Sequence, residues 1–461
     1  MVNPINVNDA VEHIHRLLEA HELDSAIQYL RTLHPADSAE LLTWLEPEQQ
    51  AVLVDRLHAP ELAEVFEQMH EEDMADVAQH LDVGDLADVL DEMEPDAAAD
   101  LIGELEPAEA AEVLEQMDES APVTSLLAYP YDTAGGIMNL PPPSLRRYMT
   151  VKEAFAFLKQ NYRDASEIYY LYVMDRHQEL IGVVNLRAML LAEHEQTIET
   201  IMHREVISVR VDADQEDVAQ VLSKYDLIAV PVIDDGNRLV GIITVDDIVD
   251  VAEAEATEDI QKIGGMEALD EPYMRISLSR MVRKRAGWLV ILFLGEMLTA
   301  TAMSFFQHEI EKAVVLALFI PLIISSGGNS GSQAATLVIR ALALSEVTLR
   351  DWLRVMRREI FSGLALGSIL GSIGFLRIVA WSLFSDIYGP HWLLVALTVG
   401  LALVGIVLWG TLSGSMLPFL LYRLGFDPAS SSAPFVATLV DVTGLVIYFS
   451  VAAMILRGTL L

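Results

Sequence analysis

The stretch Ala433-Pro-Phe-Val-Ala-Thr-Leu-Val-Asp441-Val-Thr-Gly444 places one carboxylate, that of Asp441, inside an apolar run from residue 434 to residue 456. A bilayer core about 30 Å thick needs about 20 apolar helical residues, so this run can cross a membrane with Asp441 near its middle. A carboxylate at that depth costs about 2.5–3.5 kcal/mol and usually faces a bundle interior, a water-filled path or a cation. The sequence therefore predicts a polar role for this helix inside the membrane.

The charge of the chain is divided unevenly. Residues 280–461 contain 13 basic and nine acidic residues, a net charge of +4, whereas residues 1–279 contain 16 basic and 59 acidic residues, a net charge of −43. This acidic excess excludes nucleic acid as a partner and favours cations or basic partners, although acidic residues can also serve only to keep a domain soluble. No cysteine is present, which excludes a disulfide framework and thiolate metal sites. The segment 1–9 has no basic flank before an apolar run, so we expect no cleaved signal peptide.

The first part of the chain has a helical pattern. Apolar residues recur at spacings of three and four from about residue 7 to residue 117. The units that begin at Glu94-Pro95 and Glu106-Pro107 repeat after 12 residues, and Glu46-Pro47 begins a similar unit. Proline suits the first turn of a helix, so each Glu-Pro predicts a helix start. Short helices that bury one face by stacking predict an all-α superhelical domain, which we assign to residues 1–130.

A second internal repeat follows. The segment Tyr172-Val-Met-Asp-Arg-His-Gln-Glu-Leu-Ile-Gly182 matches Pro231-Val-Ile-Asp-Asp-Gly-Asn-Arg-Leu-Val-Gly241 at an offset of 59 residues. Each copy is typical of a strand, a turn, a second strand and a helix, with another helix upstream. This pattern resembles a pair of CBS modules of α/β structure, which we assign to residues 131–254.

One copy of this pair carries a nucleotide-binding pattern. Many CBS pairs bind nucleotide through a segment with glycine, a hydroxyl residue and aspartate, and the second copy matches it with Gly241, Thr244 and Asp247. The first copy has Asn185 and Ala188 at the corresponding places. ATP is therefore left open as a ligand of the second copy alone.

A long acidic helix is predicted from residue 246 to 263, ended by Gly264-Gly265, within a connecting segment assigned to residues 246–280. Glu255, Glu258 and Asp259 fall on one face of this helix. Like charges at these spacings repel by a few tenths of a kcal/mol per pair. A divalent cation bound between these carboxylates would replace the repulsion by attraction. The alternative to a cation site is that these acidic residues form only a solvent-exposed face of the helix.

Five apolar spans follow, at about 286–306, 313–340, 360–384, 392–422 and 434–456, and predict an α-helical transmembrane bundle in residues 281–461. Basic residues cluster before the first span and between the second and third spans, and Arg423 lies between the fourth and fifth spans. The positive-inside rule then places residues 1–279 in the cytoplasm and the C-terminus outside.

The second span is also unusual. Eight consecutive small or amide residues run from Ser325 to Ser332, after Pro321 and before Gln333. Small residues allow backbones to approach closely, and a tight helix–helix contact would explain them. Proline and glycine can also loosen a membrane helix and expose its carbonyl groups to a polar path. Two polar spans in one chain favour such a path.

The chemistry of these spans suits a hard cation. No Ser/His/Asp ordering, His-Glu-x-x-His motif or P-loop accompanies them, so we predict no enzyme. Carboxylate, amide, hydroxyl and carbonyl oxygens are the ligands that Mg²⁺ prefers, and Mg²⁺ usually keeps several waters. A two-fold dimer with Asp441 near its axis would supply two carboxylates to a hydrated ion.

The order of these parts, with Gly-Gly-Asn329-Ser-Gly-Ser-Gln333 and Pro434-Phe-Val-Ala-Thr-Leu-Val-Asp441-Val-Thr-Gly444, resembles the MgtE family of magnesium channels along nearly the whole chain. The resemblance implies a multi-pass homodimer in the inner or plasma membrane, with a pore lined by the second and fifth spans. It implies an ion site at Asp441, with Asn329 and the Ala437 carbonyl nearby. It also implies an acidic plug helix gated by cytosolic Mg²⁺ at further positions: Asp91, the Gly136 carbonyl, Asp214, Glu216, Asp226, Asp247, Asp250, Glu255, Glu258 and Asp259.

Ala433 departs from the family pattern, in which we expect asparagine before the proline. Two other functions stay open. A proton-coupled secondary solute transporter would use Asp441 as a proton relay and the CBS pair as a sensor. A membrane-attached sensor would use the spans only for anchoring and dimerisation, and substitution of Asp441 would then leave cation uptake unchanged.

Overall fold

The computed structural model describes residues 6–142, 144–161, 170–269, 273 and 276–460, with the backbone alone at residues 8 and 72. Residues 1–5 of the predicted N-terminal domain, and residues 270–272, 274 and 275 of the predicted connecting segment, lie outside the described residues. The chain forms two compact units, Met1–Glu253 and Ala254–Leu461.

The first unit begins with short helices. Within residues 6–142 they are α1 (Val7–Glu19), α2 (Leu23–Leu30), α3 (Pro35–Thr43), α4 (Pro47–Val54), α5 (Ala59–Phe66), α6 (Glu71–Ala78), α7 (Val83–Glu92), α8 (Pro95–Glu104), α9 (Pro107–Gln116) and α10 (Ser120–Leu126). The predicted helix starts at Pro47, Pro95 and Pro107 are confirmed. From α1 to α9, each helix packs on the next but one along the chain. This stacking buries Phe66 and Leu90 in one continuous core and gives the predicted superhelix.

The repeated α/β part follows. Its elements are β1 (Leu145–Arg146), α11 (Val151–Asn161), β2 (Tyr170–Met174), β3 (Leu180–Asn185), α12 (Leu186–Leu191), α13 (Ile198–Ile201), β4 (Val209–Arg210), α14 (Gln215–Tyr225), β5 (Ala229–Ile233), β6 (Leu239–Thr244) and α15 (Val245–Ile263). The described strands form two sheets of the same topology, β1-β2-β3 and β4-β5-β6, each with one parallel and one antiparallel pair. Gly182 pairs with Val173 and Gly241 with Val232, so the 59-residue repeat has the same register in both copies.

The two copies begin their second helix differently. In the first copy, the Asn185 side chain accepts a 2.7 Å hydrogen bond from the backbone N–H of Ala188 and caps α12. In the second copy, the Asp247 carboxylate accepts from the Thr244 hydroxyl at 2.6 Å and from the Thr244 N–H at 3.3 Å. The latter arrangement closes the first turn of α15, which then runs to Ile263, before the predicted glycine pair.

The second unit contains the membrane helices. They are α16 (Leu278–Phe305), α17 (Gln307–Lys312), α18 (Val314–Ala317), α19 (Ile320–Ala343), α20 (Trp352–Ser382), α21 (Trp392–Arg423) and α22 (Ala433–Leu456), with 3₁₀ turns at Leu349–Asp351 and Pro428–Ser430. Within the described residues, five segments are long and apolar enough to cross a membrane: Leu278–Phe305, Val314–Ala343, Leu349–Ser382, Trp392–Arg423 and Ala433–Leu456. The predicted bundle of five spans is confirmed. The second span is interrupted between α18 and α19, and Pro321 follows this break in the first turn of α19, where its missing N–H needs no partner.

Glycines bring α19 and α21 into backbone contact. A Cβ atom added to Gly414 would lie 2.0 Å from the carbonyl oxygen of Gly331, and one added to Gly410 would lie 2.5 Å from that of Gly327. No larger residue fits either position without moving a helix. The small residues of the second span therefore do form a tight helix contact on one face of α19.

Candidate cation site in the membrane and the acidic clusters

Asp441 lies in the middle of α22, on the side that packs against α19. Ser432 begins this helix by accepting a 3.3 Å hydrogen bond from the Phe435 N–H, and Asp441 follows two and a half turns later, half-buried. A Cβ added to Gly328 of α19 would lie 3.3 Å from the Ala437 Cβ and 3.5 Å from Oδ1 of Asp441. The absence of a side chain at Gly328 therefore leaves room for the Asp441 carboxylate beside the α19 backbone.

Asn329 lies next to this contact, on an exposed face of α19. Its Nδ2 donates a 3.3 Å hydrogen bond to Oγ of Ser325, one turn earlier. The structure thus brings Asp441 and Ala437 of α22 against Gly328 of α19, the residue before Asn329. Their polar atoms are carboxylate, amide and carbonyl groups, the types that a hydrated Mg²⁺ ion accepts.

The site has too few ligands within one chain to enclose a metal ion. Among the described residues, no three histidine, aspartate or glutamate side chains converge closely enough to hold one. One carboxylate leaves a divalent cation undercompensated. The arrangement therefore suits an ion that keeps its water shell, or a site shared with a second chain.

The first unit contains a cluster of carboxylates that we name the α8–α15 cluster: Asp96 and Asp100 of α8 with Asp247 of α15. Asp96 is buried, with 9% of its surface exposed. Burial, with the charges of Asp247 and Glu94, raises the pKa of Asp96 to about 7. Burial, with the charges of Glu71 and Asp96, raises the pKa of Asp100 to about 8. These carboxylates repel each other when ionised, which favours their protonated forms.

Two of the predicted metal positions, Asp247 and Asp250, lie one turn apart on α15, and Asp247 belongs to the α8–α15 cluster. Burial raises the pKa of Asp247 against the hydrogen bond from Thr244, and the charge of Asp250, one turn later on α15, raises it further. Glu71 adds another partly enclosed carboxylate, which accepts a 2.5 Å hydrogen bond from the hydroxyl of Tyr131.

Asp91 lies in a different environment. Its two carboxylate oxygens accept backbone hydrogen bonds from Asp118 at 2.7 Å and from Glu119 at 3.0 Å, so its local role is to hold the turn before α10. Its proposed metal role stays a prediction. Sequence reasoning missed Asp96 and Asp100, although their spacing of four residues in an alanine-rich first turn places them on one face of α8.

The remaining predicted positions in the CBS part fall into two places. The turn that contains Gly136 runs beside the start of α14, because Thr133 pairs with Asp214 in an isolated bridge. Asp214 caps α14 by accepting from the Glu216 N–H at 2.9 Å. Asp226 lies at the opposite end of this 11-residue helix, about 16 Å away along its axis. Gly136, Asp214 and Glu216 are therefore neighbours, and Asp226 is separate.

The second unit contains the other group of acids, which we name the α15–Asp427 cluster: Glu255, Glu258 and Asp259 of α15 with Asp427 of the loop before α22. Lys262 binds two of its members, with a 2.7 Å ion pair to Asp427 and a second ion pair to Glu258. Partial burial lowers the pKa of Lys262, but these two hydrogen bonds raise it by more. Burial, with the charges of Asp427 and Glu255, raises the pKa of Asp259 to about 6. Sequence reasoning missed Asp427, which is 165 residues from Lys262.

These features define a multi-pass membrane protein with a mid-membrane carboxylate and acidic clusters in its other parts. Family models match three parts of the chain: the MgtE intracellular N domain at residues 33–132, CBS domains at 134–195 and 198–254, and the MgtE divalent cation transporter domain at 320–451.

Relatives extend this similarity over most of the chain. The magnesium transporter MgtE of Thermus thermophilus is 44% identical over 338 residues, which is 73% of each chain. That of Enterococcus faecalis is 37% identical over 74% of this chain and 73% of its own. A crystal structure of the soluble part of a magnesium transporter covers 54% of this chain and 100% of that chain, with 34% identity and a TM-score of 0.49. The chain belongs to the MgtE family of divalent cation transporters.

Proposed function

We propose that this protein is a magnesium channel that admits Mg²⁺ at Asp441 and closes when cytosolic Mg²⁺ occupies its acidic clusters. The observation that carries the proposal is the half-buried Asp441 carboxylate against Gly328, with Asn329 alongside, in helices that cross the membrane. A carboxylate at this depth needs a compensating partner. The relatives in this family are named magnesium transporters, so we take Mg²⁺ to be the partner that compensates the Asp441 carboxylate.

A second copy of the chain completes the site in this proposal. Asn329 lies on an exposed face of α19, and one chain supplies a single aspartate there. A two-fold axis beside α19 and α22 would bring two Asp441 carboxylates and two Asn329 amides around one water-filled path. Two carboxylates balance the charge of a divalent ion, and the amides bind its waters.

The orientation follows from the basic residues. The positive-inside rule places the loop between the second and third spans in the cytoplasm and the C-terminus outside. An inside-negative potential then contributes about 2.3 kcal/mol per charge per 100 mV to cation entry, twice that for Mg²⁺. Uptake in this direction needs no ATP hydrolysis.

The two clusters act as the sensor. In the α8–α15 cluster, three carboxylates share a partly enclosed site with raised pKa values. In the α15–Asp427 cluster, two of the four carboxylates form ion pairs with the same lysine, Lys262. Mg²⁺ bound at these places replaces repulsion by attraction and favours the state in which the carboxylates lie together. Several such ions give a steep response to cytosolic Mg²⁺.

Asp214 and Glu216 beside the Gly136 turn are a third proposed Mg²⁺ position, and Asp226 and Asp91 are separate ones. ATP at the second CBS copy stays a prediction from its sequence pattern. The Thr244 hydroxyl and the Asp247 carboxylate of that pattern are hydrogen-bonded to each other at 2.6 Å.

The test is Mg²⁺ flux into proteoliposomes that contain the wild type, Asp441→Asn or Asp441→Ala. Both variants should lose flux by at least tenfold, because the water shell of the ion loses its charged contact. Asp386→Asn, in the exposed loop between α20 and α21, is the matched control and should keep wild-type flux. Undiminished flux in both Asp441 variants would remove the proposal.

The same vesicles test the gate. Millimolar Mg²⁺ on the cytosolic side should reduce flux through the wild type, whereas Na⁺ at equal ionic strength should not. Equal inhibition by both would reduce the effect to charge screening. Flux that follows a proton gradient and an organic solute would instead favour the proton-coupled transporter.

A further inference from the structure

Helix α16 lies parallel to α22 with a fixed register. Three contacting pairs define it: Trp288 with Ser432, Gly295 with Thr438, and Phe306 with Phe449. The first is a 3.0 Å hydrogen bond from the indole N–H to the hydroxyl. In the second, a Cβ added to the glycine would lie 2.8 Å from the threonine methyl group. The third is a pair of stacked rings with centroids 4.9 Å apart. The offset along the chain is 143 or 144 residues in all three pairs, so neither helix slips against the other.

This register places a second carboxylate near the level of Asp441 in the membrane. The residue of α16 at the level of Asp441 is Leu298, with Glu296 two residues before it and Thr299 one residue after it. Glu296 forms no hydrogen bond or ion pair with any described residue, although it lies inside an apolar membrane span.

Thr299 supplies an independent observation at the same level. It lies four residues after Gly295, so both face α22, and it is 6% exposed. Its hydroxyl oxygen is buried and has no hydrogen-bond partner among the described residues. A helical threonine usually donates to the carbonyl one turn earlier, as Thr301 does to Met297 at 3.2 Å. Thr299 instead has a free hydroxyl in the interface with α22, and buried hydroxyl groups are normally satisfied by protein or water.

We propose that Glu296 and Thr299 extend the ion site of Asp441, so that α16 contributes a second carboxylate and a hydroxyl to the water shell of the passing divalent cation. This inference rests on the proposed function. It explains why two unpaired polar groups of α16 lie at one level of the membrane, and it raises the charge offered by each chain from one carboxylate to two. Both groups bind the ion through its waters, which Mg²⁺ releases reluctantly.

The test compares the Mg²⁺ concentration that gives half-maximal flux in proteoliposomes of wild type, Glu296→Gln, Glu296→Asp and Thr299→Val. Glu296→Gln should raise this concentration about tenfold, the effect typical of a group that contacts a metal indirectly. Glu296→Asp keeps the charge and should recover most of the affinity. Thr299→Val should raise the concentration by a smaller factor.

Glu359→Gln is the matched control, because Glu359 is a carboxylate of α20 in the membrane unit and belongs to none of the proposed ion sites. It should leave the half-maximal concentration unchanged. An unchanged value in Glu296→Gln would overturn the inference, as would an unchanged Mg²⁺ affinity with an altered pH dependence of flux, which would make Glu296 a proton site. If Glu296→Asp fails to recover what Glu296→Gln loses, the charge is not the cause and the inference is also wrong. Flux that survives Asp441→Asn would instead remove the proposed function itself.

Discussion

Replacement of Gly414 by alanine should separate α21 from α19. The added Cβ would lie 2.0 Å from the carbonyl oxygen of Gly331, whereas carbon–oxygen contacts between helices need about 3.3 Å or more. Helix α19 must therefore move away from α21 by about 1 Å. Gly328 and Asn329 lie less than one turn from Gly331, so the shift also reaches the Asp441 contact.

The expected cost is about 1–3 kcal/mol, the range for an overpacked interior. The melting temperature of the purified protein in detergent should fall by about 2–4 °C for each kcal/mol, and Mg²⁺ flux in proteoliposomes should fall with it. Gly405→Ala on the same helix is the control, because its Cβ would meet the Ile447 side chain at 3.4 Å, an ordinary contact distance. A Gly414→Ala protein that melts and conducts like Gly405→Ala would refute the close approach of the two backbones.

Two further predictions concern the acidic clusters. Lys262→Met removes the cationic side chain that pairs with both Asp427 and Glu258. Mg²⁺ should then close the channel at a concentration about fivefold lower, equivalent to about 1 kcal/mol. A higher closing concentration in the flux assay would contradict this prediction. In the α8–α15 cluster, Asp96 and Asp100 keep their protons in the folded state to higher pH than in the unfolded chain, which releases them above about pH 4. Without Mg²⁺, their contribution to the free energy of unfolding is therefore largest at low pH and is lost as the pH rises towards about 8. Hydrogen exchange of residues 95–104, corrected for intrinsic rates, should increase over this pH range, and Mg²⁺ should suppress the increase. The double variant Asp96→Asn with Asp100→Asn should not show the increase, and pH-independent exchange in the wild type would contradict the prediction.

The membrane helices and the repeat could be predicted from sequence because each depends on local patterns. Long apolar runs define the spans, and an isolated aspartate in one of them is expensive wherever the helices pack. The 59-residue repeat carries its own strand register, so Gly182 and Gly241 occupy equivalent positions. The all-α, α/β and membrane parts followed from such patterns.

The clusters could not be predicted in full because they depend on packing between distant residues. Asp91 and Asp96 both lie on short acidic helices, and the sequence pattern does not distinguish the one that holds a turn from the one that faces Asp247. Asp427 belongs to a loop with no pattern of its own, and only the fold brings it to Lys262. The same holds for Thr299, whose free hydroxyl is visible only once α16 is in register with α22.

The two CBS copies start the same helix with different side-chain hydrogen bonds. In the first copy, one asparagine side chain closes the turn, and Ala188 stands where the second copy has an aspartate. In the second copy, a hydroxyl and a carboxylate divide the same task, and the carboxylate remains available to the α8–α15 cluster. Two different ways of starting the same helix therefore leave one copy with a carboxylate at a position where the other copy has a methyl group.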